Sequence, residues 1–233
     1  MTTLLLVRHG LTEMTGPRLA GWTPGLALDE RGRAQAAAVA ARLAPLPLAA
    51  LVSSPLDRCL QTAGAIAAGR AGAAAKVEVD DRFGEVRYGD WTGRELAELA
   101  KEPLWRVVQA HPSAAVFPGA EGEALAAAQH RAVTAVREWN ARIAAEHGPH
   151  AAYLVCSHGD IIKAIVADAL GLHLDQFQRI QADPASVTAI RYTGLRPFVV
   201  RLNDTGGGVE GLLPAPDTDP PGDDGDAPVG GGA

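Results

Sequence analysis

The sequence predicts an α/β fold, a mostly parallel sheet covered by helices on both faces. Three observations lead there. Short apolar runs of strand length alternate with Ala-rich stretches of helical length along the body of the chain. The length, 233 residues, suits one domain of roughly 200 residues with a sizeable core. Aromatic residues make up only 5% of the chain, so Leu, Val and Ala on packed helices must supply that core.

The elements follow in order. Residues 3–7 read as a buried strand, and an irregular Gly/Pro/Thr loop runs from Gly10 to Leu28. Asp29 and Glu30 open a helix to about Leu43, their charges at the positive end of its dipole. Residues 51–53 form a second strand, and Pro55, at a first-turn position, starts a helix over 55–68. Residues 77–79 suit a short edge strand, and 95–100, 104–110 and 121–146 are helical, the last one long. Residues 152–156 make a strong strand and 160–170 a helix, and 186–192 with 198–202 close the domain as a hairpin.

Charge and composition exclude several classes. The chain has 27 Asp+Glu against 21 Lys+Arg, but seven of the acids and none of the bases fall in 204–233. Residues 1–203 therefore carry 20 acids against 21 bases, which is no basic nucleic-acid binder. The same last 30 residues hold nine Gly and five Pro, so the expected division is a domain over 1–203 and a disordered acidic tail over 204–233. No apolar stretch approaches the ~20 residues of a membrane span, so no membrane partner is expected. The apolar run at 4–7 lacks the basic start and length of a secretion signal, and a cytoplasmic location is expected. Cys59 and Cys156 make no disulfide framework and read as buried, reduced thiols.

In such sheets ligands bind outside the carboxyl ends of the strands, so the chemistry belongs just after Val7, Ser53 and Cys156. Those ends carry Arg8-His9-Gly10-Leu11-Thr12, Ser53-Ser54-Pro55-Leu56-Asp57-Arg58 and Ser157-His158-Gly159-Asp160. Glu85 lies in a Gly-punctuated loop that can reach the same edge. Two guanidiniums are a phosphate clamp, and a helix beginning after His158-Gly159 adds backbone N–H groups. An imidazole beside guanidinium is biased toward its neutral, nucleophilic form, and a carboxyl group can pass a proton to a leaving oxygen. The set points to phosphoryl transfer through a phosphohistidine. Two His and a Glu also suit a metal, but two arginines in the same pocket repel a dication, and no metal-ligand spacing is present.

The motifs also resemble a family. Arg8-His9-Gly10-x-Thr12, Glu30-x-Gly32-x-x-Gln35-Ala36, Ser53-Ser54-Pro55-x-x-Arg58-x-x-Gln61-Thr62-Ala63, Glu85-x-x-x-Gly89-x-Trp91-x-Gly93 and Ser157-His158-Gly159 occur in this order. Together they are similar to the histidine phosphatase superfamily, the phosphoglycerate mutase-like group, over residues 2 to about 202. The resemblance implies a three-layer α/β/α sandwich that works without metal or cofactor. It implies His9 as the phosphorylated nucleophile and Glu85 as proton donor and acceptor. Arg8, Arg58 and His158 become the phosphate clamp, with Gly10, Thr12, Thr15, Gly21 and Gly159 in the substrate-binding loops. The chain departs from the pattern at Thr15, where many relatives have Asn, at Leu11, and at Pro118-Gly119-Ala120-Glu121-Gly122.

The expected activity is hydrolysis of a small phosphomonoester, with a phosphomutase as the alternative and a non-catalytic phospho-ligand-binding module as the rival class. Only 72 residues separate Glu85 from His158, and Lys101, Arg106, Arg131, Arg137 and Arg142 are never adjacent. The mutases of this group carry a longer insert there with an Arg-Arg pair, which favours the phosphatase. Arg131, Arg137 and Arg142 read as a solvated helix face. The outer pocket wall is expected from loop 10–28 and segment 84–122, whose aromatics Trp22, Trp91, Trp105 and Phe117 suit core packing or a substrate platform equally.

Overall fold

The structure, a computed structural model, describes residues 1–206. A six-stranded sheet has the order β3-β2-β4-β1-β5-β6. The strands are β1 (Thr2–Arg8), β2 (Leu48–Ser53), β3 (Val77–Val79), β4 (Ala152–Ser157), β5 (Val187–Tyr192) and β6 (Pro197–Asp204). The first four run parallel, and β5 and β6 form the antiparallel hairpin at one edge.

Strand side chains alternate between faces, and the alternation builds two cores. Leu4 and Leu6 of β1, with Val52, Tyr153 and Val155, pack under α5 (Leu125–His147) and α6 (Gly159–Leu170). Leu5 and Val7, with Leu51, Leu154 and Cys156, pack under α1 (Glu30–Leu43) and α2 (Asp57–Ala67). The result is the three-layer α/β/α sandwich. Asp29 caps α1 by accepting from Gly32 N, and Gly171, at φ +67°, ends α6. Two short helices, α3 (Leu96–Leu99) and α4 (Pro103–Ala110), lie between β3 and α5.

Some boundaries differ from the sequence reading. Pro55 stands before Leu56, the N-cap of α2, so it ends the entering turn and is not the first helical residue. Residues 121–124 are not helical, and α5 begins at Leu125. Gly122 and Ala124 form β-bridges to Tyr88 and Val116. A Cβ on Gly122 would lie 2.1 Å from the Phe117 carbonyl oxygen. Tertiary pairing with the Glu85 segment thus overrides helical propensity.

Asp204 is the last residue of β6 and forms an ion pair with Arg42 at 2.8 Å. The rest of the acidic segment from 207 on, and the expectation of disorder attached to it, lie outside the described residues. Among those described, no helix is long and apolar enough to cross a membrane.

Candidate active site

The chain leaves β1 toward β2 on one side and β4 toward β5 on the other, so the order of connection reverses between neighbours β1 and β4. Arg8 pairs with Ser157 in register there, which brings Arg8-His9 and Ser157-His158 out side by side. Ser54, after β2, joins them through its backbone N–H to the Cys156 carbonyl. A narrow cleft opens at this edge, with Arg8, His9, Thr15, Gly21, Arg58 and Glu85 on its wall.

His9 is 5% exposed, and its ring is held at both nitrogens. Nδ1 lies 2.7 Å from the Gly10 carbonyl, which can only accept, so Nδ1 carries the proton. Nε2 then holds the lone pair, and Arg58 Nε donates to it at 3.2 Å. Burial, then Arg58, then Arg8 hold the imidazole well below the usual histidine range. His158 follows the same logic. Arg58 Nη2 donates to its Nδ1 at 3.1 Å, leaving Nε2–H to face Ser54 Oγ at 2.7 Å. Burial and Arg58 also keep His158 well below the usual range, and the two rings sit edge to face at 5.2 Å.

Arg58, in the first turn of α2, is the hub of this set. Besides the two histidines it bonds the Gly21 carbonyl at 2.8 Å, and Arg8 bonds the Ala182 carbonyl at 2.8 Å. Two buried guanidinium nitrogens, Arg8 Nε and Arg58 Nη1, have no hydrogen-bond partner among the described residues. An unpaired buried donor is costly, and an oxyanion in the cleft would satisfy both.

Glu85 is 3% exposed, with Oε1 accepting from Val86 N at 2.9 Å. Burial, then the Asp160 carboxylate, push its carboxyl up to about 8, against the opposing pull of Val86 N, Arg58 and Arg8. At neutral pH the site therefore holds a protonated carboxyl group and an unprotonated imidazole together, the states needed for a proton donor and a nucleophile.

The remaining motif residues sit around the wall. Thr12 is buried behind Thr15, its Oγ1 3.0 Å from Thr15 Oγ1, and of the two Thr15 reaches the cleft. Gly10 packs on backbone instead of facing the cleft, since a Cβ there would lie 2.5 Å from Gly32 O. Gly159 opens α6 behind His158 and is likewise off the wall. Loop 10–28 is tied at its ends by Leu11 N to Gln35 Oε1, Asp29 N to Leu11 O and Leu28 N to Gln61 Oε1.

Sequence reasoning missed one residue and left the role of the aromatics open. Arg131 is no solvated residue: it donates to the carbonyls of Arg82, Gly84 and Glu85 and forks onto Glu123, which pins the Glu85 segment to α5. The aromatics form no substrate platform. Trp91 and Phe117 are core, Trp105 packs against it, and Trp22 bonds the Glu85 carbonyl through Nε1 at 2.6 Å while Arg87 covers its ring.

Fold and site together define a phosphate-handling α/β enzyme class with a histidine at its centre. The family model of the histidine phosphatase superfamily (branch 1) matches residues 4–205, and the chain belongs to that superfamily. Phosphoserine phosphatase 1 of Hydrogenobacter thermophilus is 31% identical over 88% of this chain and 93% of its own length. A probable phosphoglycerate mutase of Cronobacter sakazakii is 28% identical over 82% of this chain and 86% of its own. The solved mycobacterial glucosyl-3-phosphoglycerate phosphatase superposes with a TM-score of 0.73 at 26% identity, covering 87% of this chain and 98% of that one. Three mycobacterial relatives at 35% identity are longer, and the chain spans 54% of their length. Among the described residues no group of three His, Cys, Asp or Glu side chains is arranged to hold a metal ion.

Proposed function

We propose that the chain hydrolyses small phosphomonoesters through a phosphohistidine on His9, without a metal. The observation that supports this is the His9 ring, its Nε2 lone pair turned to Arg58 in a cleft where Arg58 and Arg8 each keep a buried donor without a partner among the described residues. In the first step Nε2 attacks phosphorus, the ester P–O bond breaks, and the departing oxygen takes the proton of Glu85. In the second, water attacks the phosphorus, the Glu85 carboxylate takes its proton, and the P–N bond breaks to restore neutral His9. Arg8 and Arg58 hold the equatorial oxygens, the part of phosphoryl transfer that protein groups stabilise most, and His158 joins them by turning its Nε2–H from Ser54 Oγ to the bound phosphate.

A small substrate is favoured because the relatives at hand are named for small phosphate esters, and among the described residues the cleft wall carries one aromatic ring besides His9, that of Tyr88, whose hydroxyl is bonded to Asp160. Hydrolysis is preferred to mutase action because, among the described residues, the further cation on the wall, Arg18, is paired with Glu95 at 2.6 Å. The test is rapid quenching with labelled substrate in chelator. Wild type should carry acid-labile, alkali-stable phosphate and release phosphate, and His9→Ala should do neither. Full turnover by His9→Ala would overturn the assignment, and isomerisation of 3-phosphoglycerate without phosphate release would replace the phosphatase by the mutase.

A further inference from the structure

Beneath the cleft lies a second set of titratable groups that the proposed reaction leaves unused. Tyr88, on the cleft wall, donates its phenolic proton to Asp160 Oδ2 at 2.8 Å. The other oxygen, Oδ1, faces Lys163 Nζ at 3.3 Å. Lys163 also donates to Gln178, whose amide reaches the Val108 carbonyl at 3.4 Å. Side chains of Asp160 and Lys163 are only 1% and 2% exposed, and the ammonium sits 4.4 Å from the Phe177 ring centroid. An interior ion pair is expensive to desolvate, and apolar side chains of similar volume usually serve stability as well or better. Its acidic member, Asp160, stands in the first turn of α6, two residues past His158, which points to a use in the chemistry.

We propose that Asp160 is a positioning residue for the proton step: held by Lys163, it anchors the hydroxyl of Tyr88, which shares the cleft wall with Glu85, and so serves the group that gives the proton. The proposal rests on Glu85 being the proton donor. The charged and titratable groups around Glu85 fall on opposing sides. Arg8 from β1 and Arg58 from α2 draw it toward carboxylate. His9 is neutral, and Tyr88 from the same segment keeps its proton because burial and then Asp160 push the phenol well up. Arg131 from α5 reaches the Glu85 backbone carbonyl. From α6, Asp160 opposes the two arginines, while Lys163 couples to Glu85 with the other sign. Without Asp160, two buried guanidiniums would favour a carboxylate that has no proton to give.

The test is the pH dependence of kcat/KM for phenyl phosphate, a substrate whose leaving oxygen needs a proton. Activity requires protonated Glu85, so it falls on a basic limb, and Glu85→Gln should remove that limb. Asp160→Asn should move the limb down by roughly one pH unit, and Lys163→Met should move it up. Opposite shifts are something a loosened site cannot produce, since structural damage scales the whole profile. The double variant D160N/K163M leaves no interior charge unpaired; it decides the matter if a single variant does not fold, and its limb should lie below that of wild type. A limb unmoved in the folded variants would overturn the role of Asp160 while leaving Glu85 as the acid. A limb that persists in Glu85→Gln would overturn both.

Discussion

Arg58 Nε lies 3.2 Å from His9 Nε2, so in the proposed reaction the clamp and the attacking nitrogen are held by one guanidinium. Arg58→Lys keeps a charge but cannot reach His9, His158 and Gly21 at once. It should lower kcat by roughly 10²–10³-fold, the usual cost of one preorganised donor. Steady-state kinetics check this; a variant within twofold of wild type would contradict the hub role.

The pH profile follows from the two opposed shifts. His9, held well below the usual histidine range, stays neutral at mildly acidic pH, and Glu85, up to about 8, keeps its proton through neutrality. Hydrolysis of a phosphomonoester should therefore run on a plateau through neutral pH and decline above about 8 as Glu85 loses its proton. A decline centred near the ordinary carboxylate range would contradict it.

Arg131→Met removes the donors that fix three carbonyls around Glu85. A misplaced proton donor slows chemistry more than binding, so kcat should fall roughly tenfold or more with KM little changed. The effect should be smaller for p-nitrophenyl phosphate, whose leaving group needs no proton. Equal losses on both substrates would mean that Arg131 serves folding alone.

Gly32→Ala would place a Cβ 2.0 Å from the Leu11 carbonyl oxygen, beneath the His9 loop. Backbone cannot yield as a flexible side chain does, so a cost on the order of 1–3 kcal/mol is expected, with a thermal midpoint lower by about 5 °C. Scanning calorimetry reads this directly.

Truncation after Asn203 removes the Arg42–Asp204 pair, whose side chains are about one-third exposed. Exposed pairs contribute at most about 1 kcal/mol, so folding and turnover should survive. Loss of activity would make the acidic segment part of the enzyme.

Much of this architecture can be read from residue order. The strands are legible because each is an apolar run of the right length, and the His9, Arg58 and His158 positions because they stand at strand ends or just beyond one. Glu121 to Ala124 escape, since their conformation is dictated by Tyr88 and Val116, distant in sequence. Arg131 escapes because its partners are backbone carbonyls, which leave no trace in composition. Lys163 and Asp160 show helical spacing, but nothing local tells a buried pair from an exposed one. The adjacency of Gly10 to Gly32 is equally silent, since a missing Cβ records an approach without naming its partner.

The fastening of loop 10–28 has an evolutionary consequence. Leu11 is held by Gln35 and Asp29, and Leu28 by Gln61, so both ends are secured outside the residues that line the cleft. Thr15, Gly16, Arg18, Leu19 and Ala20 line it from between those fastenings. The segment is in effect a cassette exchangeable over residues 15–20 alone, since Gly21, whose carbonyl accepts from Arg58, and Trp22, which donates to the Glu85 carbonyl, tie the stretch beyond them to the site. The shape of the cleft mouth can thereby drift while its floor stays fixed.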